Sequence, residues 1–156
     1  MKKTRRANKN TLTWESKFKP KLVRLHKNHW KTTFHRLMKK SSTLKSTLKR
    51  RSKEYEVICN ISLKEIRESL YQAYGQNCKY CTSRLVLNNI VCDHITPLSL
   101  GGGSIPRNLQ MICARCNTRK GPLTDEQFSD LLAFLLNKDE LVSGYILRKL
   151  ARADVM

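Results

Sequence analysis

Two Cys-x-x-Cys pairs, Cys78-Lys79-Tyr80-Cys81 and Cys113-Ala114-Arg115-Cys116, enclose Asp93-His94 and Asn108, and Asn117 follows the second pair directly. Each pair can aim two thiolates at one ion, and four thiolates complete a closed tetrahedral structural site. The stretch from Cys78 to Gly121 spans 44 residues, too few for a self-sufficient apolar core, so a metal staple is expected there. Residues Lys2 to Asn10 are polar and no apolar run follows, so no secretory leader is expected. The thiols are then expected to be reduced, which favours metal over disulfides. Cys59 and Cys92 have no partner at ligand spacing and are expected to be small buried apolar residues.

Asp93-His94 and Asn117 carry a second kind of chemistry. An oxygen-rich pair of Asp and Asn suits a hard cation such as Mg²⁺, which keeps several waters and takes phosphate oxygens from a substrate. A histidine beside such an ion can ligate it, or stay free and take the proton from an attacking water.

The stretch C-K-Y-C … C-D-H-I-T-P-L-S-L-G-G-G … N-L-Q-M-I-C-A-R-C-N-T-R-K-G resembles the HNH nuclease family. The resemblance implies an α+β chain built on a small ββα-metal module with a four-cysteine structural Zn²⁺ site. It implies that His94 is the general base and that Asp93 and Asn117 hold the catalytic divalent ion. It also implies that Asn108 hydrogen-bonds backbone and orients His94, and that Cys78, Cys81, Cys113 and Cys116 hold the zinc. The family's third letter is often histidine. Asn117 is a harder ligand, which favours Mg²⁺ or Mn²⁺ at the catalytic centre. The implied reaction is phosphodiester hydrolysis to 5′-phosphate and 3′-hydroxyl ends. Arg107, Arg115, Arg119 and Lys120 flank the site and are expected to grip neighbouring phosphates.

The surrounding elements must position these residues. Arg84–Leu87 and Ile90–Asp93 read as two short strands joined by a turn at Asn88-Asn89. Leu98 to Arg107, with Gly101-Gly102-Gly103, reads as a loop. A helix is expected from Cys116 to Gly121-Pro122. Ser62 and Glu65 form a capping box for a helix with Ile66, Leu70 and Ala73 inward and Gly75 beyond its end. Thr124 and Gln127 form a second box, opening a helix with Phe128, Leu131, Leu132 and Leu135 inward. A last helix is expected over about 138–152. Upstream, Leu22 to Leu48 show a helical apolar pattern that starts near Pro20 and breaks near Ser41-Ser42-Thr43. Residues 1–19 read as disordered.

Charge separates the two halves. Residues 1–53 contain 19 Lys and Arg and one acid, for +18 of the total +19. Residues 54–156 contain 12 Lys and Arg and 11 acids, for +1. A basic arm, helical or disordered, over 1–53 is therefore expected beside an HNH domain over 54–156, with its core at 78–121 and a helical extension at 124–153. Every residue singled out for chemistry lies beyond Lys53, so the second segment is expected to carry the site alone. The basic arm points to a polyanion, DNA or alternatively RNA, since Lys and Arg displace condensed counterions. No apolar run reaches membrane-spanning length, so no membrane partner is expected. The expected setting is cytoplasm, nucleoid or host-cell interior, while an Arg/Lys-rich N-terminus is also compatible with organelle import. A monomer would nick one strand and a dimer could cut both. The rival reading is a zinc-stapled nucleic-acid or ribonucleoprotein module without catalysis.

Overall fold

The computed structural model describes residues 9–152, which divide into two compact units, one ending at Lys40 and the other beginning at Ser41. The reading of residues 1–8 as disordered, and the end of the extension at 153, lie outside the described residues.

In the first unit, α1 spans Lys9–His26 and a 3₁₀ turn, Lys27–His29, leads into α2, Trp30–Glu54. Two expectations are corrected here. Residues from Lys9 onward are helical, with Pro20 inside α1 rather than at its start. The helical pattern breaks at Lys27, which takes a positive φ of 45°, and α2 runs through Ser41-Ser42-Thr43 unbroken. Aromatic packing explains α1. Phe18 and Phe34 are buried with ring centroids 5.9 Å apart, and Trp14 lies 6.1 Å from Phe18. Burying such rings outweighs the hydrogen bond that proline removes. The continuity of α2 has a polar reason. Arg67 Nε donates to the buried Ser41 Oγ at 3.3 Å, and Ser46 Oγ donates to the Ser42 carbonyl. Ser41 thus meets a partner from outside α2, and Ser46 satisfies its hydroxyl on the helical backbone.

The second unit contains the rest of α2, then α3 (Leu63–Ala73), β1 (Ile90–His94), β2 (Leu109–Cys113), α4 (Ala114–Lys120), α5 (Asp125–Leu135) and α6 (Glu140–Arg152). Both capping boxes form, Ser62 with Glu65 and Thr124 with Gln127. Gly75 at φ 79° closes the end of α3. The core gathers Leu48, Ile61, Ile66, Leu70, Leu85, Ile90, Ile112 and Phe128 around the buried Cys78, Cys113 and Cys116, with Cys81 partly buried against it. Leu48 comes from α2, so the last turns of that helix belong to this core. The charge boundary at residues 53 and 54 falls inside this unit.

The strand pairing differs from expectation. Residues 84–87 form no strand. β1 pairs antiparallel with β2, Ile90 against Cys113 through His94 against Leu109. The local reason is Asn89. Its side chain accepts from the Val86 N–H and donates to the Arg84 carbonyl, while Val86 O accepts from both Asn89 and Ile90 N–H. Those bonds use up the polar groups a hairpin would need. The insertion between the cysteine pairs therefore carries its own two-stranded sheet.

Candidate active site and metal centre

The cysteine cluster forms where a turn meets a helix start. The Cys81 N–H donates to the Cys78 carbonyl, and Cys78 N–H to the Ser83 carbonyl, which folds the first pair into a knuckle. Cys113 caps α4, its sulfur accepting from the Cys116 N–H at 3.4 Å. All four sulfurs lie within 4.8 Å of one another, and Cys81 and Cys113 are 3.7 Å apart. Tetrahedral zinc with bonds of about 2.3 Å separates its sulfurs by about 3.8 Å, so the donor set fits that ion. Burial pushes the Cys81 thiol up, but hydrogen bonds from Ser83, Cys116 and Arg115 outweigh it and bring the pKa down to about 6. A thiolate is the form a metal needs.

The second site sits at the far end of β1. Asp93 and His94, both buried, meet Asn117 and Lys120 of α4, Arg51 of α2, and Pro97, Leu98 and Gly121 around one cleft of about 90 Å³. Gly121, at φ 50°, ends α4 and its N–H returns to the Asn117 carbonyl. Asp93 accepts from Gln110 Nε2 at 3.0 Å, the residue directly opposite it across the sheet, and pairs with Lys120 Nζ at 3.2 Å. Gln110 also donates to the Tyr80 hydroxyl at 2.9 Å, and Tyr80 donates in turn to Asp125 at the start of α5. The cysteine knuckle and the Asp93 carboxylate are thus ends of one hydrogen-bonded chain. Burial first, then the charges of Arg51 and Lys120, push the His94 imidazole down from 6.5 to about 4. His94 is therefore neutral near pH 7 and has a lone pair available for a proton. A carboxylate and an amide facing the same cleft fit a hard divalent ion.

Residues 78–133 match the HNH endonuclease family. The matched stretch holds the cysteine cluster, both strands, α4 and most of α5. No curated protein and no solved structure shows significant similarity to the chain.

Within the matched stretch, Asn108 is a brace for the glycine loop. Its Oδ1 accepts from the Thr96 N–H at 2.8 Å, and its Nδ2 donates to the Thr96 and Gly103 carbonyls at 3.0 and 2.9 Å. Gly102 is required there, because a Cβ would stand 1.9 Å from the Thr96 carbonyl oxygen. The His94 ring itself is held by Ser104, whose hydroxyl lies 2.8 Å from Nε2.

The four cations expected to meet phosphates have different placements. Lys120 is corrected: it is 1% exposed, and its ammonium goes to Asp93 and to the His94 carbonyl at 2.8 Å. An ammonium on a flexible stem reaches inward when a buried carboxylate and carbonyl stand above it. Arg115 is exposed but donates to Cys81 Sγ and to Ser83 Oγ at 3.2 Å. Arg107 is exposed on the rim of a groove beside the glycine loop, and Arg119 is half-buried. Cys92 packs against the core as expected, while Cys59 is exposed. The pairing of Asp93 with Gln110 was in reach of the sequence only through the register of β1 with β2. Arg51 and Ser52 carried no local signal, because they read as part of a basic helix.

Proposed function

We propose that this chain is a metal-dependent endonuclease that hydrolyses DNA phosphodiester bonds. The observation that carries the reading is the cleft itself, where Asp93, His94 and Asn117 converge from β1 and α4. His94, neutral at working pH, takes the proton from a water poised in line with the scissile phosphorus. Asp93 and Asn117 would hold Mg²⁺ or Mn²⁺, which supplies Lewis-acid stabilisation of the charge on the phosphate and the leaving 3′ oxygen. Gln110 fixes one Asp93 oxygen. Asn108 holds the loop that carries Ser104 against His94. Arg51, facing the same cleft, offers a cation for a non-bridging phosphate oxygen, and Arg107 and Arg119 offer outlying ones. The four cysteines would hold Zn²⁺ as a structural staple beneath the sheet.

The first unit supports a nucleic-acid substrate. Lys17 lies over the Trp14 ring at 5.4 Å, and Lys19 and Lys31 lie over Trp30 at 5.5 and 5.7 Å. Cations interleaved with aromatic faces suit phosphates and bases together. Among the described residues no helix is long and apolar enough to cross a membrane. A second reading, a zinc-stapled module that binds nucleic acid without cutting, is favoured by one observation: Lys120 already neutralises the buried Asp93.

Supercoiled plasmid separates the two readings. The parent is expected to yield open-circular or linear product with Mg²⁺ or Mn²⁺ and none with EDTA. His94→Ala should keep its zinc and its DNA affinity while cutting falls by about 10²–10⁴. Equal cutting by His94→Ala, or no cutting with any divalent ion, counts against the nuclease reading.

A further inference from the structure

His94 Nε2 lies 2.8 Å from Ser104 Oγ, and Ser104 Oγ lies 2.7 Å from Ser52 Oγ. All three residues are buried, at 6%, 0% and 1% exposure. The chain of contacts joins the end of β1, the glycine loop and the last turn of α2. It leaves the matched stretch, since Ser52 lies well upstream of residue 78.

The backbone around Ser104 is clamped. Its N–H donates to the Ile58 carbonyl at 2.8 Å, and its carbonyl accepts from the Asn60 N–H at 3.0 Å. A Cβ on the preceding Gly103 would stand 2.9 Å from the Ile58 oxygen, so the two segments touch closely. The Val57 N–H donates to the Ser52 carbonyl at 2.9 Å. The two hydroxyls are therefore set by backbone contacts on both sides and not by free rotation of a surface loop.

Each hydroxyl has one proton and can also accept. Two orientations of the chain are possible, and they differ in chemistry. If Ser52 donates to Ser104 and Ser104 to Nε2, the imidazole proton sits on Nδ1 and the one ring lone pair, on Nε2, is already taken up by Ser104. If Nε2–H donates to Ser104 and Ser104 to Ser52, the Nδ1 lone pair is free. Only the second orientation gives His94 a nitrogen that can accept a proton from water. It also serves the imidazolium that results, because Nε2–H keeps the same acceptor before and after the transfer.

We infer that Ser104 and Ser52 are positioning residues of the active centre, a hydroxyl relay from α2 that holds the His94 proton on Nε2 and leaves Nδ1 as the base. The inference rests on the nuclease reading for its catalytic consequence, but the tautomer is a property of the protein alone. Ser52 acts only through Ser104.

The test uses the full chain, its zinc content checked, with Ser104→Ala, Ser52→Ala and the double variant. Cutting by Ser104→Ala is expected to fall about 10–100-fold in kcat, with KM for DNA unchanged. Ser52→Ala, which deletes a single oxygen from a helix, should fall less. The double variant should match Ser104→Ala alone. The ¹⁵N shifts of the His94 imidazole should show a single tautomer protonated on Nε2 in the parent and an averaged ring in Ser104→Ala. A Ser104→Ala enzyme with parental kcat, a Ser52→Ala loss that persists when Ser104 is already alanine, or a parent ring protonated on Nδ1 overturns the relay. A parent that cuts nothing would sink the nuclease reading instead, while the ¹⁵N measurement would still decide the relay.

Discussion

His94 shows how burial selects a protonation state. Desolvation opposes the charged ring, and Arg51 and Lys120 oppose it further, so its pKa falls from 6.5 to about 4. The sign of the stability effect follows. Between those two pH values the unfolded chain binds a proton that the folded chain does not. The contribution is complete above pH 6.5 and is lost as pH falls toward 4. Denaturant midpoints of the parent and of His94→Asn, measured from pH 7.5 to 4.5, should therefore converge as the pH drops. A constant gap over that range would mean that His94 is not held neutral. Lys120 shows burial offset by polar partners. A lysine read from the sequence as a surface phosphate ligand lies inside, because Asp93 and the His94 carbonyl supply partners that water cannot reach.

Among the elements, α2 has the largest unexpected role. Its last turns place Leu48 in the core, Arg51 at the cleft and Ser52 behind Ser104. A basic helix that reads as a nucleic-acid arm is at the same time a structural wall of the site. Leu48→Ala should cost about 2–5 kcal/mol in urea unfolding, as expected for a leucine buried among fixed core neighbours. Leu136→Ala, at 85% exposure on the solvent side of the α5 end, serves as the control and should change little. Equal costs for the two would mean that α2 does not pack where its burial puts it. The strand β2 also departs from the reading of the sequence. Its residues follow a glycine loop and run into a cysteine knuckle, and they give the sheet its partner for β1 in place of residues 84–87.

At the scale of the whole molecule, charge and fold divide at different points. Residues 1–40 carry +13 and residues 41–156 carry +6. The compact second unit begins at Ser41, twelve residues before the change in composition at Lys53. Two shortened chains separate the contributions. A chain beginning at Ser41 should fold, hold zinc and cut at low salt. Its DNA affinity should be much weaker, and log affinity should fall less steeply with log salt, because fewer phosphates are neutralised. A chain beginning at Lys53 should lose stability as well, since Leu44, Leu48, Arg51 and Ser52 go with the missing helix. Fluorescence anisotropy across a salt series and a thermal melt read the two effects separately. Equal salt slopes for the full chain and the Ser41 chain would show that the first unit does not touch nucleic acid. Equal melting temperatures for the two shortened chains would show that the end of α2 is dispensable.

The sequence by itself determined what depends on local spacing and local chemistry. The two Cys-x-x-Cys turns, the capping boxes at Ser62 and Thr124, the end of α4 at Gly121, and the Asp-His dipeptide with Asn108 and Asn117 are all short-range patterns, each with its own physical reason. The division of charge was also legible, since it needs only counting. Tertiary structure decided everything that depends on which residues meet across long separations. The pairing of Asp93 with Gln110 required the register of β1 with β2. The burial of Lys120 required the height of α4 above the sheet. The joining of Ser52 to His94 required the end of α2 to pack against the glycine loop. A hydroxyl or a cation in a polar, basic helix has the same sequence neighbours whether it faces solvent or a cleft, so only packing could tell one from the other.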